Sequence, residues 1–169
     1  FPDSAESPLP FERVAAFLAE TAELDGPGML GRYQELVDRR RAQLGALSDE
    51  QWATPSMTPI GPATYGRFMG IRVFDFWVHE QDIRRPLGRP GHETGVAAEM
   101  SVDEVQGALG YIVGKKVGLP VGMGITFRLT GPVQRDLHAQ IEGRARVVPE
   151  LASPDVVVTA DSLTFVLLA

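Results

Sequence analysis

The pattern of apolar and polar positions predicts helices in the first two thirds of the chain and strands in the last third. Apolar residues recur at helical spacing in four segments, which are 11–24, 29–47, 64–85 and 101–117. Two sequences have capping-box spacing, Ser48 with Gln51 and Ser101 with Glu104. Proline-rich stretches, 1–10 and 54–62, predict an extended lead-in and a surface loop.

After Gly118 the period changes, and four short runs alternate or are rich in β-branched residues, as strands do. They are 125–130, 137–141, 145–148 and 156–160. Residues 161–169 open with an aspartate cap and predict a short helix. The predicted class is therefore α+β. We expect a helical domain over residues 1–118 and a small, incomplete α/β domain over residues 119–169.

The helix predicted over 64–85 carries the candidate chemistry. Its stretch 69–78 is apolar on almost every side, so we expect it to be buried against other helices. The polar residues fall on one stripe of the helix, at Arg72, Asp75, His79 and Asp82. The i, i+4 spacing of Asp75 and His79 can direct a carboxylate and an imidazole to one point.

Carboxylate oxygen and imidazole nitrogen are both ligands of divalent ions such as zinc, and a catalytic site usually has a third protein ligand. His92 is predicted in a loop and His138 in a strand, so we expect the third ligand to be a carboxylate or to be absent. Residue types alone favour a buried structural contact instead. Two roles stay open for Arg72, which could hold a substrate carboxylate or neutralise Asp75. Glu80 and Arg84 are predicted to form an exposed pair.

Composition excludes several classes of site. With 44% hydrophobic and 22% charged residues, the chain is typical of globular proteins. Without cysteine it has no disulfide, thiolate ligand or cysteine nucleophile. The net charge of −6 disfavours nucleic-acid binding. No apolar run is long enough to span a membrane. A cytoplasmic location is therefore the default expectation. No phosphate-binding glycine motif or serine-nucleophile motif is present.

The segment FDFWVHEQDIRRPLGRPG, residues 74–91, resembles a signature helix of the mycothiol-dependent maleylpyruvate isomerase family. This family belongs to the DinB-like superfamily of metal-binding four-helix bundles. The resemblance covers about residues 29–169, although only WVHEQDIR is specific. It implies a partial DinB-like bundle without its N-terminal helices, followed by a sterol-carrier-like part. The arginine-rich, lysine-poor composition agrees with the actinobacterial origin that the resemblance implies.

The resemblance also implies a metal site. The family's E-x-x-x-H pair falls on Asp75 and His79, with aspartate one methylene shorter than glutamate. The family's third ligand is a histidine on an earlier helix, and no histidine precedes His79. We therefore expect that ligand upstream of this chain, while a degenerate member that binds no metal is the alternative.

The implied function is that of a metal-dependent, mycothiol-using isomerase or S-transferase. The expected cofactors are mycothiol and a divalent metal, with zinc preferred, and the expected substrate is a small electrophile. Arg72 would act as an anion clamp and Asp82 as a residue that orients the ligands. A homodimer is left open, and no nucleic-acid or membrane partner is expected. The alternative is a non-catalytic module for ligand binding or dimerisation, with Asp75 and His79 in a structural contact and a tail able to bind a small lipid.

Overall fold

The structure, a computed structural model, describes residues 10–169. The helices in this range are α1 (Pro10–Thr21), α2 (Gly26–Gly45), α3 (Asp49–Trp52), α4 (Tyr65–Arg84), α5 (Val96–Tyr111) and α6 (Ser162–Leu168). The strands are β1 (Pro55–Thr58), β2 (Gly61–Thr64), β3 (Gly124–Thr130), β4 (Arg135–Glu142), β5 (Arg144–Val148) and β6 (Val156–Asp161). The α+β class is confirmed. Residues 1–9 of the predicted extended lead-in lie outside the described residues, and its last residue, Pro10, begins α1.

Two compact units divide the chain between Gly66 and Arg67. The first contains α1, α2, α3 and the hairpin of β1 and β2, and the second contains the four-stranded sheet with α5 and α6. The domain boundary predicted after residue 118 lies inside the second unit, whose hydrophobic core joins residues on both sides of it. That boundary stays a prediction.

Local capping explains where α2 and α3 begin in the first unit. The carboxylate of Asp25 accepts a hydrogen bond of 2.8 Å from the amide of Gly28 at the start of α2. The predicted capping box of Ser48 and Gln51 is confirmed at α3. The predicted loop 54–62 is wrong, because this segment largely forms an antiparallel hairpin. Its turn is closed by the Thr58 hydroxyl, which donates a hydrogen bond of 2.7 Å to the carbonyl of Gly61.

The apolar faces of α1 and α2 are largely exposed in the first unit. Leu18 is 60% exposed, Leu30 56% and Tyr33 61%. A groove of about 550 Å³ runs between apolar side chains of both helices, including Phe17 and Leu36. The predicted periodicity is therefore correct for both helices. It marks a face that the described part of this unit does not cover.

The core of the second unit lies between the sheet and the helices α5 and α6. The strand order is β5-β4-β3-β6, with β3 and β6 parallel and the other pairs antiparallel. Alternate residues of the two central strands enter the core, namely Ile125, Phe127, Leu129, Leu137, Ala139 and Ile141. The four strands and the helix α6 agree with the sequence prediction, and Asp161 caps α6 by accepting from the amide of Thr164.

Helix α5 begins at Val96 and not at Ser101, so the second predicted capping box is wrong. Ser101 is fully buried inside the helix, where its hydroxyl donates a hydrogen bond of 2.8 Å to the carbonyl of Ala97. Glu104 instead pairs with Arg67 of α4. Beyond α5 the chain continues as a π-helix, Ile112–Val117.

Helix α4 matches its predicted range closely but is buried on one side only. Within it Ile71, Trp77 and Gln81 are buried, whereas Phe76 is 65% exposed and Ile83 64%. The expectation that this helix is enclosed by other helices is therefore wrong for the described structure. Trp77 links it to the core of the second unit. Among residues 10–169, no helix combines the length and the apolar character needed to cross a bilayer.

Candidate functional site

The predicted polar stripe of α4 is organised as two successive pairs. Nη1 of Arg72 donates a hydrogen bond of 2.7 Å to Oδ2 of Asp75. One turn later, Nδ1 of His79 lies 3.4 Å from Oδ2 of Asp82. Both pairs are i, i+3 contacts, as expected for residues on one side of a helix.

The carboxylate of Asp75 is thus paired with Arg72, and the imidazole of His79 with Asp82. Arg72 also lies over the ring of Phe76, with 4.8 Å between the guanidinium carbon and the ring centre. The contact with Asp75 corresponds to one of the two roles left open for Arg72, and the holding of a substrate carboxylate stays a prediction. The His79 side chain is 72% exposed, so a buried structural contact does not describe it.

The fit of a metal to these residues can be tested by counting ligands. Among residues 10–169, no three histidine, aspartate or glutamate side chains are grouped so that they could hold an ion. His138 is hydrogen-bonded to Thr126 on the neighbouring strand, with 2.9 Å between Nδ1 and Oγ1. The described residues therefore do not complete a metal site, and the role of Asp75 and His79 as ligands stays a prediction.

A second cluster joins α4 to the following loop, and sequence reasoning predicted its Glu80 and Arg84 pair but missed its third member, His92. Oε1 of Glu80 accepts hydrogen bonds from Nε of Arg84 at 2.7 Å and from Nδ1 of His92 at 2.8 Å. The predicted pair of Glu80 and Arg84 is confirmed, but its side chains are only about one-third exposed and Glu80 also contacts His92. Burial alone would raise the pKa of the Glu80 carboxyl. Hydrogen bonds from Arg84 and His92, the charge of Arg84, and the charge that His92 carries when it is protonated outweigh burial and lower that pKa.

The loop that carries His92 is fastened to α4. Nε1 of Trp77 donates a hydrogen bond of 2.7 Å to the carbonyl of His92, and Nε2 of Gln81 donates one of 3.2 Å to the carbonyl of Gly91. His92 adopts a φ of 56°, in the left-handed region that few residues other than glycine occupy. These contacts hold a less favourable backbone conformation in place.

A cavity of about 390 Å³ lies beside this cluster. Its lining is mainly apolar, with Met69, Val73, Phe76, Trp77 and Ala97, and the polar groups at its edge include Arg72, Glu80 and His92. The sequence offered only a weak signal for this arrangement. His92 is twelve residues from Glu80 and follows a loop whose course no local pattern predicts.

Residues 2–84 match the model of the mycothiol maleylpyruvate isomerase N-terminal domain. This part of the chain belongs to that family. The match confirms the family resemblance and shows that it begins upstream of residue 29. The isomerase N-terminal domain match ends at Arg84, the last residue of α4, so it includes Asp75 and His79 but not His92. No curated protein and no solved structure matches the chain.

Proposed function

We propose that this protein is a mycothiol-using isomerase or S-transferase that acts on a small electrophilic substrate. The observation that carries the proposal is the family match over residues 2–84, which contains the whole polar stripe of α4. Family membership supports mycothiol as the thiol that the protein uses. That the substrate is an electrophile is proposed only because thiols react with electrophiles. A scaffold by itself does not name a substrate.

The proposed chemistry begins when the thiol loses its proton, since the thiolate is the nucleophile. The sulfur then forms a bond to an electrophilic carbon of a C=C bond conjugated to a carbonyl, and the π electrons move to the carbonyl oxygen to give an enolate. In an isomerase, rotation about the resulting single bond is followed by return of these electrons, which re-forms the C=C bond and expels the thiolate, and the thiolate regains the proton. In an S-transferase the enolate carbon takes up the proton instead, and the carbon–sulfur bond remains in the product.

We propose Asp75 and His79 as two ligands of a divalent metal, with zinc preferred, and a third ligand from outside the described residues. A divalent ion held there would favour the thiolate form of a bound thiol. Asp82 lies 3.4 Å from Nδ1 of His79, a position from which a carboxylate can orient the imidazole. Arg72 would exchange its contact with Asp75 for an anionic group of the substrate.

Elemental analysis and mycothiol calorimetry on the full protein test this proposal. We expect one divalent metal per chain and saturable binding of mycothiol. Both should be lost in Asp75→Ala and His79→Ala. Asp38→Ala is the matched control, because Asp38 is exposed on α2 and lies away from the polar stripe in sequence.

The opposite result is equally clear. If neither metal nor mycothiol binds, and both variants are folded and as stable as the unaltered protein, the enzyme proposal fails. A non-catalytic module for ligand binding or dimerisation would then be the better description. Mycothiol binding without metal, unchanged in both variants, would retain the thiol function and reject Asp75 and His79 as its site.

Several wider proposals accompany this function. A DinB-like bundle and a sterol-carrier-like C-terminal part are proposed for the α+β architecture, with the domain boundary near residue 118. A cytoplasmic location, an actinobacterial origin and a homodimer are also proposals. Size-exclusion chromatography with light scattering tests the homodimer directly, since the dimer has twice the 18.4 kDa mass of the chain.

A further inference from the structure

The cavity beside His92 has the size and lining of a small-molecule site. Its volume of about 390 Å³ lies within the usual range for ligand pockets, roughly 300–1,000 Å³. Apolar side chains from α4 and from Ala97 form most of its wall, and few polar groups interrupt them. Pockets of this kind bind an apolar body and use the few polar groups to fix its orientation.

The hydrogen bond between His92 and Glu80 determines what His92 offers to a ligand. An ionised carboxylate only accepts hydrogen bonds, so Nδ1 of His92, 2.8 Å from Oε1 of Glu80, carries the proton. In the neutral imidazole the other nitrogen, Nε2, is then an acceptor. A ligand that meets this atom must provide an O–H, N–H or S–H group.

Two hydrogen bonds hold the backbone at His92 in place, and the contact with Glu80 orients its ring. The indole of Trp77 binds the carbonyl of His92, and the neighbouring carbonyl of Gly91 accepts from the buried side chain of Gln81. The positive φ of His92 is therefore maintained by two side chains of the same helix. A group that is fixed before binding costs less conformational entropy when the ligand arrives.

We propose that this cavity binds a small apolar molecule with one hydrogen-bond donor, which is held by Nε2 of His92. Glu80 acts as a positioning residue that sets the tautomer and the orientation of the ring. Asp75 and His79 do not line this cavity, although Arg72, which is bonded to Asp75, lies at its edge. The proposal does not depend on the proposed thiol chemistry. It lies partly beyond the segment that the family model matches, because His92 follows Arg84.

Phenol and anisole are suitable probes, since they have the same ring and only phenol has a donor. The chain contains two tryptophans, so the indole N–H signals of ¹⁵N-labelled protein form a simple reporter. The Trp77 indole bonds to His92, whereas Trp52 stacks on Tyr65 in the other unit and serves as the internal control. Phenol should shift the Trp77 signal saturably and leave the Trp52 signal in place.

Anisole should bind about three- to tenfold more weakly than phenol, the difference expected for one neutral hydrogen bond. His92→Asn should reduce phenol binding by a similar factor and leave anisole binding unchanged. Asparagine is chosen because it tolerates the left-handed backbone better than most residues. Arg89→Asn is the control, since Arg89 is exposed in the same loop and does not line this cavity.

Glu80→Gln is a second variant that keeps the imidazole and removes the charge that positions it. It should weaken phenol binding and leave anisole binding unaltered. Equal affinity for phenol and anisole, a Trp77 signal that neither probe moves, or a Trp52 signal that moves as much would each overturn the proposal. Undiminished phenol binding in folded His92→Asn or Glu80→Gln would also overturn it.

Discussion

Arg72 donates a hydrogen bond of 2.7 Å to Asp75. Asp75 is proposed as a metal ligand and lies one helical turn before His79. A guanidinium and a divalent cation compete for the same carboxylate. The two side chains are 41% and 44% exposed, so the ion pair contributes little to stability and is easily exchanged. The arrangement therefore lowers the affinity of Asp75 for a cation without blocking access to it.

Removing that competitor should strengthen metal binding. We expect Arg72→Gln to raise the affinity for zinc by up to about fivefold, because an exposed ion pair contributes about 0.2–1 kcal/mol. Asp75→Asn should lower the affinity instead. Calorimetric titration with zinc measures both effects. Arg85→Gln is the control, because Arg85 directly follows α4 and does not belong to its polar stripe. An affinity in Arg72→Gln at or below that of the unaltered protein would show that Arg72 does not compete.

The Glu80 cluster should make stability depend on pH in the acid range. Its carboxyl pKa lies below the ordinary value of 4.5 in the folded protein, so the folded state favours the ionised form. The contribution is present above pH 4.5 and disappears as the pH falls through the lowered folded pKa. The stability difference between the unaltered protein and Glu80→Gln should therefore shrink on acidification. Urea unfolding at several pH values between 3 and 7 measures it, and a difference that stays constant contradicts the assignment.

The bidentate pair of Arg67 and Glu104 should stabilise the contact between α4 and α5. Two hydrogen bonds of 2.7 Å join the guanidinium to both carboxylate oxygens, and they raise the pKa of Arg67. Because this geometry is fixed and Glu104 is only 19% exposed, Glu104→Gln should cost about 1 kcal/mol of unfolding free energy. The exposed Glu99 on α5 provides the control, Glu99→Gln. Equal stability of the two variants in urea would show that the pair contributes nothing.

Two glycines with similar backbone angles separate conformational strain from steric overlap. Gly131 has a φ of 82° and Gly143 a φ of 78°. A Cβ at Gly131 would overlap the carboxylate of Asp161, which caps α6, whereas nothing lies near a Cβ at Gly143. Gly143→Ala should cost about 1 kcal/mol, and Gly131→Ala about 1 kcal/mol more because it also disturbs the cap. Thermal and urea unfolding compare the two, and equal losses would contradict the role of the cap.

The sequence alone determined most of the elements and the family. Helical and strand periodicities are local properties, so α4, the four strands of the sheet and the capped helix α6 were all predicted close to their actual ranges. The resemblance at residues 74–91 identified the family that the match over residues 2–84 confirms. The placement of the polar residues on one side of α4 also followed from the helical period.

Only the tertiary structure decided which of those polar residues meet. Asp75 and His79 share a stripe, yet each is paired with a different neighbour, because side-chain partners depend on rotamers and charge. The cluster of Glu80 and His92 depends on how a loop folds back onto α4, and hydrogen bonds from Trp77 and Gln81 determine that course. The contacts of this loop with α4 join residues ten or more positions apart in sequence, and periodicity carries no information about them.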